Sequence, residues 1–132
     1  MAIRIVRLGT PRARDEGLRL GTVRRPPRGV TRDRYAADDW YDVWLPNLAP
    51  SAALVATAKA TVSGAAWKKF AARYEKEMTA SEASRVLDLL AALSRQTNVS
   101  VGCYCEDESR CHRSVLKRLL EARGAAIYQP TR

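Results

Sequence analysis

Hydrophobic and polar positions alternate at the start of the chain and then lose any regular spacing. The segment IRIVRL (Ile3–Leu8) sets apolar side chains against arginines in alternation, which predicts a first strand. No such alternation continues through Gly9–Pro46. Within that stretch, RRPPRGVTRDRY (Arg24–Tyr35) combines two prolines, a glycine and five arginines, which is typical of a loop. The pattern therefore predicts a basic, irregular segment at about residues 9–46.

Apolar residues return at helical spacing in the middle of the chain. The spacing predicts one helix over Ala52–Ala60, capped by Ser51, and a second helix over Gly64–Met78. A third helix is predicted to open at Thr79, because Thr79 and Glu82 have the spacing of a capping box. Three consecutive helices are therefore expected between the first strand and the C-terminal part of the chain.

The C-terminal part has the pattern of a strand, a helix and a short strand. The segment NVSVGCYC (Asn98–Cys105) alternates and predicts a buried strand. A helix is predicted over Arg110–Arg123 with Ser109 as its N-cap, and AAIYQP (Ala125–Pro130) predicts a last strand. Strands separated by helices favour an α/β fold. We therefore expect residues 1–132 to form one small α/β domain, with a mostly parallel sheet flanked by helices.

Composition narrows the class of protein. The 132 residues are 46% hydrophobic and 28% charged, which is ordinary for a soluble globular domain. No apolar run approaches the roughly 20 residues that span a bilayer, and the N-terminus lacks the apolar stretch of a signal peptide. These features predict a cytoplasmic protein without membrane contact. Thiols stay reduced in the cytoplasm, so the three cysteines indicate reactivity or metal binding rather than disulfides.

Positive charge is concentrated at the N-terminal end of the chain. The formal net charge is +9, and residues 1–34 contribute +7 of it through ten arginines and three acidic residues. Such a segment can meet phosphate, nucleic acid or an acidic partner, and it can equally form a solvated surface. Four aromatic residues follow it, namely Tyr35, Trp40, Tyr41 and Trp44. They either offer a stacking surface to a nucleic acid or pack in the core, and core packing is the more common role.

The stretch GCYCEDESRCHRS (Gly102–Ser114) holds all three cysteines and the only histidine of the chain. Its reactive side chains would meet where a strand ends and the next helix starts, a place where open α/β sheets bind ligands. Arg110 and Arg113 lie in the first predicted helical turn, which already carries partial positive charge. A bound anion or a thiolate would compensate this charge, and so would the local acidic run Glu106–Glu108. Helix N-termini and nearby arginines also lower the pKa of a thiol.

A metal site is the competing interpretation of the same stretch. Three cysteines and one histidine match one type of structural zinc site. In a helix that begins at Arg110, however, the side chains of Cys111 and His112 would point about 100° apart. Both could bind one ion only with distortion, so we predict no metal and no cofactor. Strand spacing further predicts that oxidation joins Cys111 to Cys105 or Cys103, and does not join Cys103 to Cys105.

Four segments together resemble the YeaO-like family of small bacterial proteins. They are GCYCEDESRCHRSVL (Gly102–Leu116), PPRGV (Pro26–Val30), LAPS (Leu48–Ser51) and FAARYEKEM (Phe70–Met78). The resemblance implies an α/β fold and a shared pocket, without implying a particular reaction. The matching pocket positions are Arg28, Cys103, Cys111, His112 and Arg113.

The leading hypothesis for function is a small thiol-dependent or anion-binding enzyme. The predicted catalytic residues are Cys103, Cys105, Cys111 and His112. The predicted anion-binding residues are Arg24, Arg25, Arg28 and Arg113. In this hypothesis one thiolate is the nucleophile and His112 is the general acid or base. Arg113 and Arg28 hold a small anionic ligand bidentately. The alternative hypothesis is a nucleic-acid-binding module that uses the arginine-rich N-terminal region.

Overall fold

The computed structural model describes residues 1–58 and 64–129, and four parallel strands organise this part of the chain. The strands are β1 (Ile3–Arg7), β2 (Leu18–Gly21), β3 (Val43–Trp44) and β4 (Val99–Cys103). The helices are α1 (Ala52–Ala58), α2 (Gly64–Glu77), α3 (Ser81–Leu93) and α4 (His112–Ala122). The strand order across the sheet is β1-β4-β2-β3. The predicted small α/β fold, with a parallel sheet flanked by helices, is confirmed.

One face of the sheet packs against the helices through apolar side chains. Ile3, Leu20 and Val101 come from three neighbouring strands, and all three are buried in the main core cluster. The helices contribute residues at helical spacing, such as Leu116 and Leu120 of α4, which are fully buried. Each such side chain stabilises the fold by about 1.5–3 kcal/mol relative to an exposed position. In the described ranges no helix has both the length and the apolar character needed to cross a bilayer.

The prediction of an irregular segment at residues 9–46 is wrong where β2 and β3 form. The strand β2 lies inside the sheet, bonded to β4 on one side and to β3 on the other. In a strand that alternates leucine and arginine, the arginine normally points toward water. The segment LRLG (Leu18–Gly21) therefore does not predict an interior strand. Arg19 is instead fully buried. The strand β3 has only two residues, which is too short for a periodic signal.

A buried ion pair explains how Arg19 can occupy the interior. Its Nε and Nη2 donate to the two carboxylate oxygens of Glu16, at 2.7 and 2.9 Å. Its Nη1 donates to the carbonyl oxygens of Thr10 and Asp39, both at 2.8 Å. Glu16 also accepts a hydrogen bond from the Ser100 hydroxyl of β4 at 2.8 Å. The two charges are therefore paired and hydrogen-bonded, as burial requires, and they join the segment after β1 to the centre of the sheet.

Gly17 precedes β2 at a position where no larger residue fits. Its φ is +78°, and a Cβ atom would lie 1.8 Å from the carbonyl oxygen of Asn98. We expect Gly17→Ala to lower the free energy of unfolding by about 2–4 kcal/mol, through backbone strain and displacement of that carbonyl. Gly29→Ala is the matched control, because Gly29 has φ +71° and no atom within 4 Å of its Cβ position. Equal losses in chemical denaturation of the two variants would contradict the steric argument.

The start of α3 differs from the predicted capping box. The helix begins at Ser81 with Ala80 as its N-cap residue, and no side chain caps it. The Thr79 hydroxyl donates instead to the carbonyl of Lys76 at 2.6 Å. The capping-box prediction is therefore wrong, because Thr79 bonds back to the end of α2 rather than forward to α3.

Two other predicted boundaries have mixed outcomes. The Ser51 cap of α1 is confirmed, since the Leu54 N–H donates to the Ser51 Oγ at 3.2 Å. The predicted end of that helix, at residues 59 and 60, lies outside the described residues. The predicted last strand is reduced to an isolated parallel bridge between Ile127 and Ile3. A single bridge at the outer side of β1 leaves the chain there mostly without ladder pairing.

Candidate functional site

The carboxyl ends of three strands lie level at one edge of the sheet, and the reactive side chains collect there. Arg7 of β1 pairs in register with Cys103 of β4, and Gly21 of β2 pairs with Gly102. The helix α4 starts beside this edge, and its first residue, His112, contacts the chain just after β2. Open α/β sheets bind ligands in this position. The topology thus brings the end of β4 and the start of α4 together at this edge.

The chain enters α4 differently from the prediction, and this moves Cys111. The helix predicted from Arg110 begins at His112, after a 3-10 turn over Glu108–Arg110. The N-cap residue is Cys111 rather than Ser109, and its backbone is extended, with φ −123° and ψ 153°. Its Sγ lies 3.7 Å from His112 Nδ1. The geometric argument against a metal therefore fails, because it required both residues to have helical geometry.

The ring of His112 is oriented by a backbone carbonyl. Its Nε2 lies 2.7 Å from the carbonyl oxygen of Thr22. A carbonyl can only accept a hydrogen bond, so Nε2 carries the proton. In the neutral ring, Nδ1 then has a free electron pair that faces the Cys111 sulfur. Tyr74 packs edge-on against the ring, with 5.3 Å between centroids. His112 is therefore fixed in the tautomer that suits either a base or a metal ligand at Nδ1.

The sulfurs of Cys103 and Cys105 are close because β4 ends early. The strand stops at Cys103, so Cys105 does not continue its face as predicted. The chain turns, and the two Sγ atoms lie 3.7 Å apart, with the Cys103 thiol donating to Cys105. Cys103 is buried and Cys105 is exposed. The assumption of an extended strand through both residues is therefore wrong, and the pairing expected on oxidation stays a prediction.

The contacts among the three thiols concentrate negative charge on the exposed one. The hydrogen bond from Cys103, helped by Cys111 and the nearby Arg113 guanidinium, lowers the pKa of Cys105. The same bond raises the pKa of Cys103, which keeps its proton. The pKa of Cys111 is lowered by its hydrogen bond with Cys103, with His112 adding to the effect. The arrangement therefore favours a thiolate at the solvent-facing end of the cluster.

Arg113 has a role different from the predicted one. Its side chain is buried, and its two terminal nitrogens donate to the carbonyl oxygens of Val6 and Cys105, at 2.8 and 2.5 Å. Its Nε has no hydrogen-bond partner among the described residues. The two nitrogens that would bind an anion bidentately thus already donate to backbone carbonyls. Arg113 holds the loop after β4 in place and supplies positive charge beneath the thiols.

The three predicted arginines of the loop divide into one structural residue and two exposed ones. Arg24 is half-buried and donates to the carbonyl oxygens of Pro46, Ala49 and Pro50, at 3.0–3.3 Å. It therefore ties the loop after β2 to the entry of α1. Arg25 and Arg28 are exposed and line the same cleft as the cysteines. Of the four predicted anion-binding arginines, these two have no described guanidinium hydrogen bond to a carbonyl.

An open cleft of about 1490 Å³ lies over the cysteine cluster. The structure adds Arg7 and Arg110 to its lining, which sequence reasoning did not assign to the site. The arginines of the lining are Arg7, Arg24, Arg25, Arg28 and Arg110. No aspartate or glutamate is among the described lining residues. Part of the wall is apolar and includes Trp40, Val55, Trp67 and Phe70. Arg7 could be assigned to the site only by knowing that β1 pairs with β4, in the register that sets Arg7 opposite Cys103.

The comparisons with known proteins place the chain in a family. The profile of the DUF488-N3a family, described as the active DUF488-N3 subclade, matches residues 3–124. No curated protein and no solved structure matches the chain. The matched residues include every predicted site position and agree with the resemblance to the YeaO-like family. The chain therefore belongs to the DUF488-N3a family, a family of domains of unknown function that forms the active DUF488-N3 subclade.

Proposed function

We propose that this protein is a thiol-dependent enzyme that acts on a small anionic substrate. The observation that carries the proposal is the position of Cys105, the exposed thiol of the three, in a cleft whose described lining has five arginines and no carboxylate. Such a lining attracts anions and disfavours competing cations. The description of the family as an active subclade supports a catalytic role for this cleft.

In this proposal Cys105 is the nucleophile. Its Sγ faces the cleft and accepts a hydrogen bond from the buried Cys103 thiol at 3.7 Å. A donor on the sulfur stabilises the thiolate, which is the reactive form of cysteine. Arg113 holds the Cys105 carbonyl oxygen at 2.5 Å, so the residue is fixed although it lies in a loop. Cys103 and Arg113 are therefore positioning residues, and Cys105 is the group that touches the substrate.

His112 supplies the acid–base function of the proposed site. The proton on Nε2 is committed to the Thr22 carbonyl at 2.7 Å, so Nδ1 is the atom that exchanges protons. Nδ1 lies 3.7 Å from Cys111 Sγ, and Cys111 interacts electrostatically with both other cysteines. A proton can therefore pass between the imidazole and the sulfur cluster without leaving the site. His112 is buried but reaches the lining of the cleft, where it can also donate to a leaving group.

Arg25 and Arg28 are the proposed anion-binding residues. Unlike Arg24 and Arg113, they have no described hydrogen bond from the guanidinium to a carbonyl, and both are exposed on the cleft wall. A guanidinium presents paired N–H donors that match phosphate, sulfate or carboxylate oxygens. The substrate of the proposal is therefore an anion small enough to bring its reacting atom to Cys105.

Binding of pyrophosphate, measured by calorimetry, tests the anion site. We expect Arg25→Ala and Arg28→Ala each to weaken binding about tenfold or more, because a hydrogen bond to a charged group contributes about 1.5–3 kcal/mol. Arg14→Ala is the matched control, since Arg14 is an exposed arginine outside the described cleft lining. Equal weakening in all three variants would mean that only the net charge matters, and would remove the anion site.

The nucleic-acid alternative has less support from the contacts of the basic segment. Three of its exposed or half-exposed arginines form ion pairs within or beside the segment, namely Arg4 with Asp15, Arg12 with Asp42 and Arg34 with Asp38. The aromatic residues mostly pack together, with Tyr35 edge-on to Tyr41 and Trp40 edge-on to Tyr104. These ion pairs and ring contacts reduce, without removing, the groups that this region offers to phosphates and bases.

A further inference from the structure

We propose that Cys103, Cys111 and His112 form a binding site for one zinc-class divalent cation, with Cys105 as the fourth ligand. One donor atom from each of the first three residues lies within 4.8 Å of the other two. The three residues are 6%, 2% and 5% exposed. They come from the end of β4, the N-cap of α4 and the first residue of α4, so the fold itself brings the donors together.

The distances match the edges of a tetrahedral site. A tetrahedral Zn²⁺ with Zn–S bonds of about 2.3 Å and Zn–N bonds of about 2.0 Å places its donor atoms about 3.5–3.8 Å apart. Cys111 Sγ and His112 Nδ1 are 3.7 Å apart, and so are Cys103 Sγ and Cys105 Sγ. The other separations among the three buried donors are at most 4.8 Å. The three buried donors therefore lie near tetrahedral spacing, and Cys105 Sγ, 3.7 Å from Cys103 Sγ, is the thiol placed to complete the shell.

The surroundings of His112 are those of a metal ligand. Its Nε2–H donates to the Thr22 carbonyl at 2.7 Å, so that in the neutral ring Nδ1 keeps its electron pair, 3.7 Å from Cys111 Sγ. A hydrogen bond from the second ring nitrogen to a carbonyl is the usual way in which proteins orient a metal-binding imidazole. The Tyr74 ring packs edge-on against the imidazole and restricts its rotation.

Charge and access also fit a cation bound by thiolates. Three thiolates and one Zn²⁺ leave one negative charge, and the buried Arg113 guanidinium lies beside it, donating to the Cys105 carbonyl oxygen at 2.5 Å. All four residues line the open cleft, and Cys105 is the exposed one, so an ion has an entry path from solvent. Soft thiolate and imidazole donors in a tetrahedral arrangement select Zn²⁺ over Mg²⁺ or Ca²⁺.

Cation binding would replace protons in the cluster. Each ligating cysteine that still carries its thiol proton releases it to solvent, and no atom changes oxidation state. If Cys105 is the nucleophile of the proposed function, metal binding also controls its reactivity. A bound cation occupies the Cys105 electron pair, so the metal-bound protein is unreactive as a thiol and the metal-free protein is the reactive form.

The experiment uses reduced, chelator-treated protein titrated with Zn²⁺ in native mass spectrometry and with Co²⁺ in absorption spectroscopy. We expect one ion per chain, with the visible bands of tetrahedral Co²⁺ bound to thiolates. Cys111→Ser and Cys103→Ser should each lose the ion at equimolar metal, since each removes one of three buried ligands. Cys105→Ser is the matched control, because it keeps those three ligands and should retain one ion with weaker thiolate bands. Circular dichroism checks the folding of each variant.

The outcomes separate this inference from the proposed function. No ion bound to folded wild-type protein overturns the metal site, and so does unchanged binding in both Cys103→Ser and Cys111→Ser. Binding of one Zn²⁺ that also blocks alkylation of Cys105 supports both proposals. If Zn²⁺ binds but metal-free Cys105 reacts like an ordinary thiol, the metal site stands and the thiol-dependent enzyme does not.

Discussion

In the metal-free, reduced protein, Cys105 is expected to react with iodoacetamide at a rate that changes little between about pH 8 and about pH 6. The hydrogen bond from Cys103 and the charge of Arg113 lower the pKa of Cys105, so its thiolate persists as the pH falls through this range. An unperturbed thiol, with a pKa of about 8.5, loses roughly 80-fold of its thiolate over the same range. A thiolate of low pKa is less nucleophilic, so a flat pH profile is a better test than a high absolute rate.

Two variants test whether the cysteine cluster causes the flat pH profile of Cys105 alkylation. Cys103→Ala removes the S–H donor, so the alkylation of Cys105 should regain a steep dependence on pH. Cys105→Ser should abolish the pH-independent labelling, because the other two thiols are buried. Mass spectrometry of the labelled peptides measures the rate at each cysteine separately. A Cys105 rate that falls in parallel with that of glutathione would show that the site holds no activated thiolate.

Glu16→Ala is expected to lower the free energy of unfolding by about 3–5 kcal/mol. The substitution leaves Arg19 fully buried with its charge unpaired, and it also removes the acceptor of the Ser100 hydroxyl. Asp15→Ala is the matched control, because Asp15 pairs with Arg4 at 2.7 Å on the surface. An exposed pair contributes about 0–1 kcal/mol. Urea denaturation of both variants decides the matter, and similar losses would mean that Arg19 finds other partners.

The stabilising effect of Glu16 should depend on pH with a definite sign. Burial disfavours its charge, but the hydrogen bonds from Arg19 and Ser100 outweigh burial and lower its pKa in the folded protein. A lowered pKa means that the contribution is present above the unfolded value of about 4.3 and is lost as the pH falls through the folded value. The stability difference between wild type and Glu16→Gln should therefore be largest near neutral pH and shrink in acid. A constant difference down to acidic pH would contradict a charged Glu16.

The strands and helices whose burial follows a regular period could be predicted from the pattern of residues alone. The strand at the N-terminus, the helices with apolar stripes and the core of β4 were predictable because each buries one face along several residues. The sequence also identified the reactive set, since all three cysteines and the one histidine lie within Gly102–Ser114. Local pattern was sufficient in these cases because neighbours along the chain are neighbours in the element.

The positions of buried charges and the orientations of the site side chains depend on contacts between distant parts of the chain. The strand β2 was not predicted because its Arg19 is buried against Glu16. The pattern of residues does not distinguish a buried, paired arginine from a solvated one. The orientation of His112 depends on the carbonyl of Thr22, 90 residues away, and a backbone carbonyl has no signature in sequence. Likewise, the extended backbone at Cys111 set the distance between its sulfur and the imidazole, and so removed the geometric argument against metal binding. Contacts between residues far apart in the chain carry no local pattern, and these contacts define the chemistry of the site.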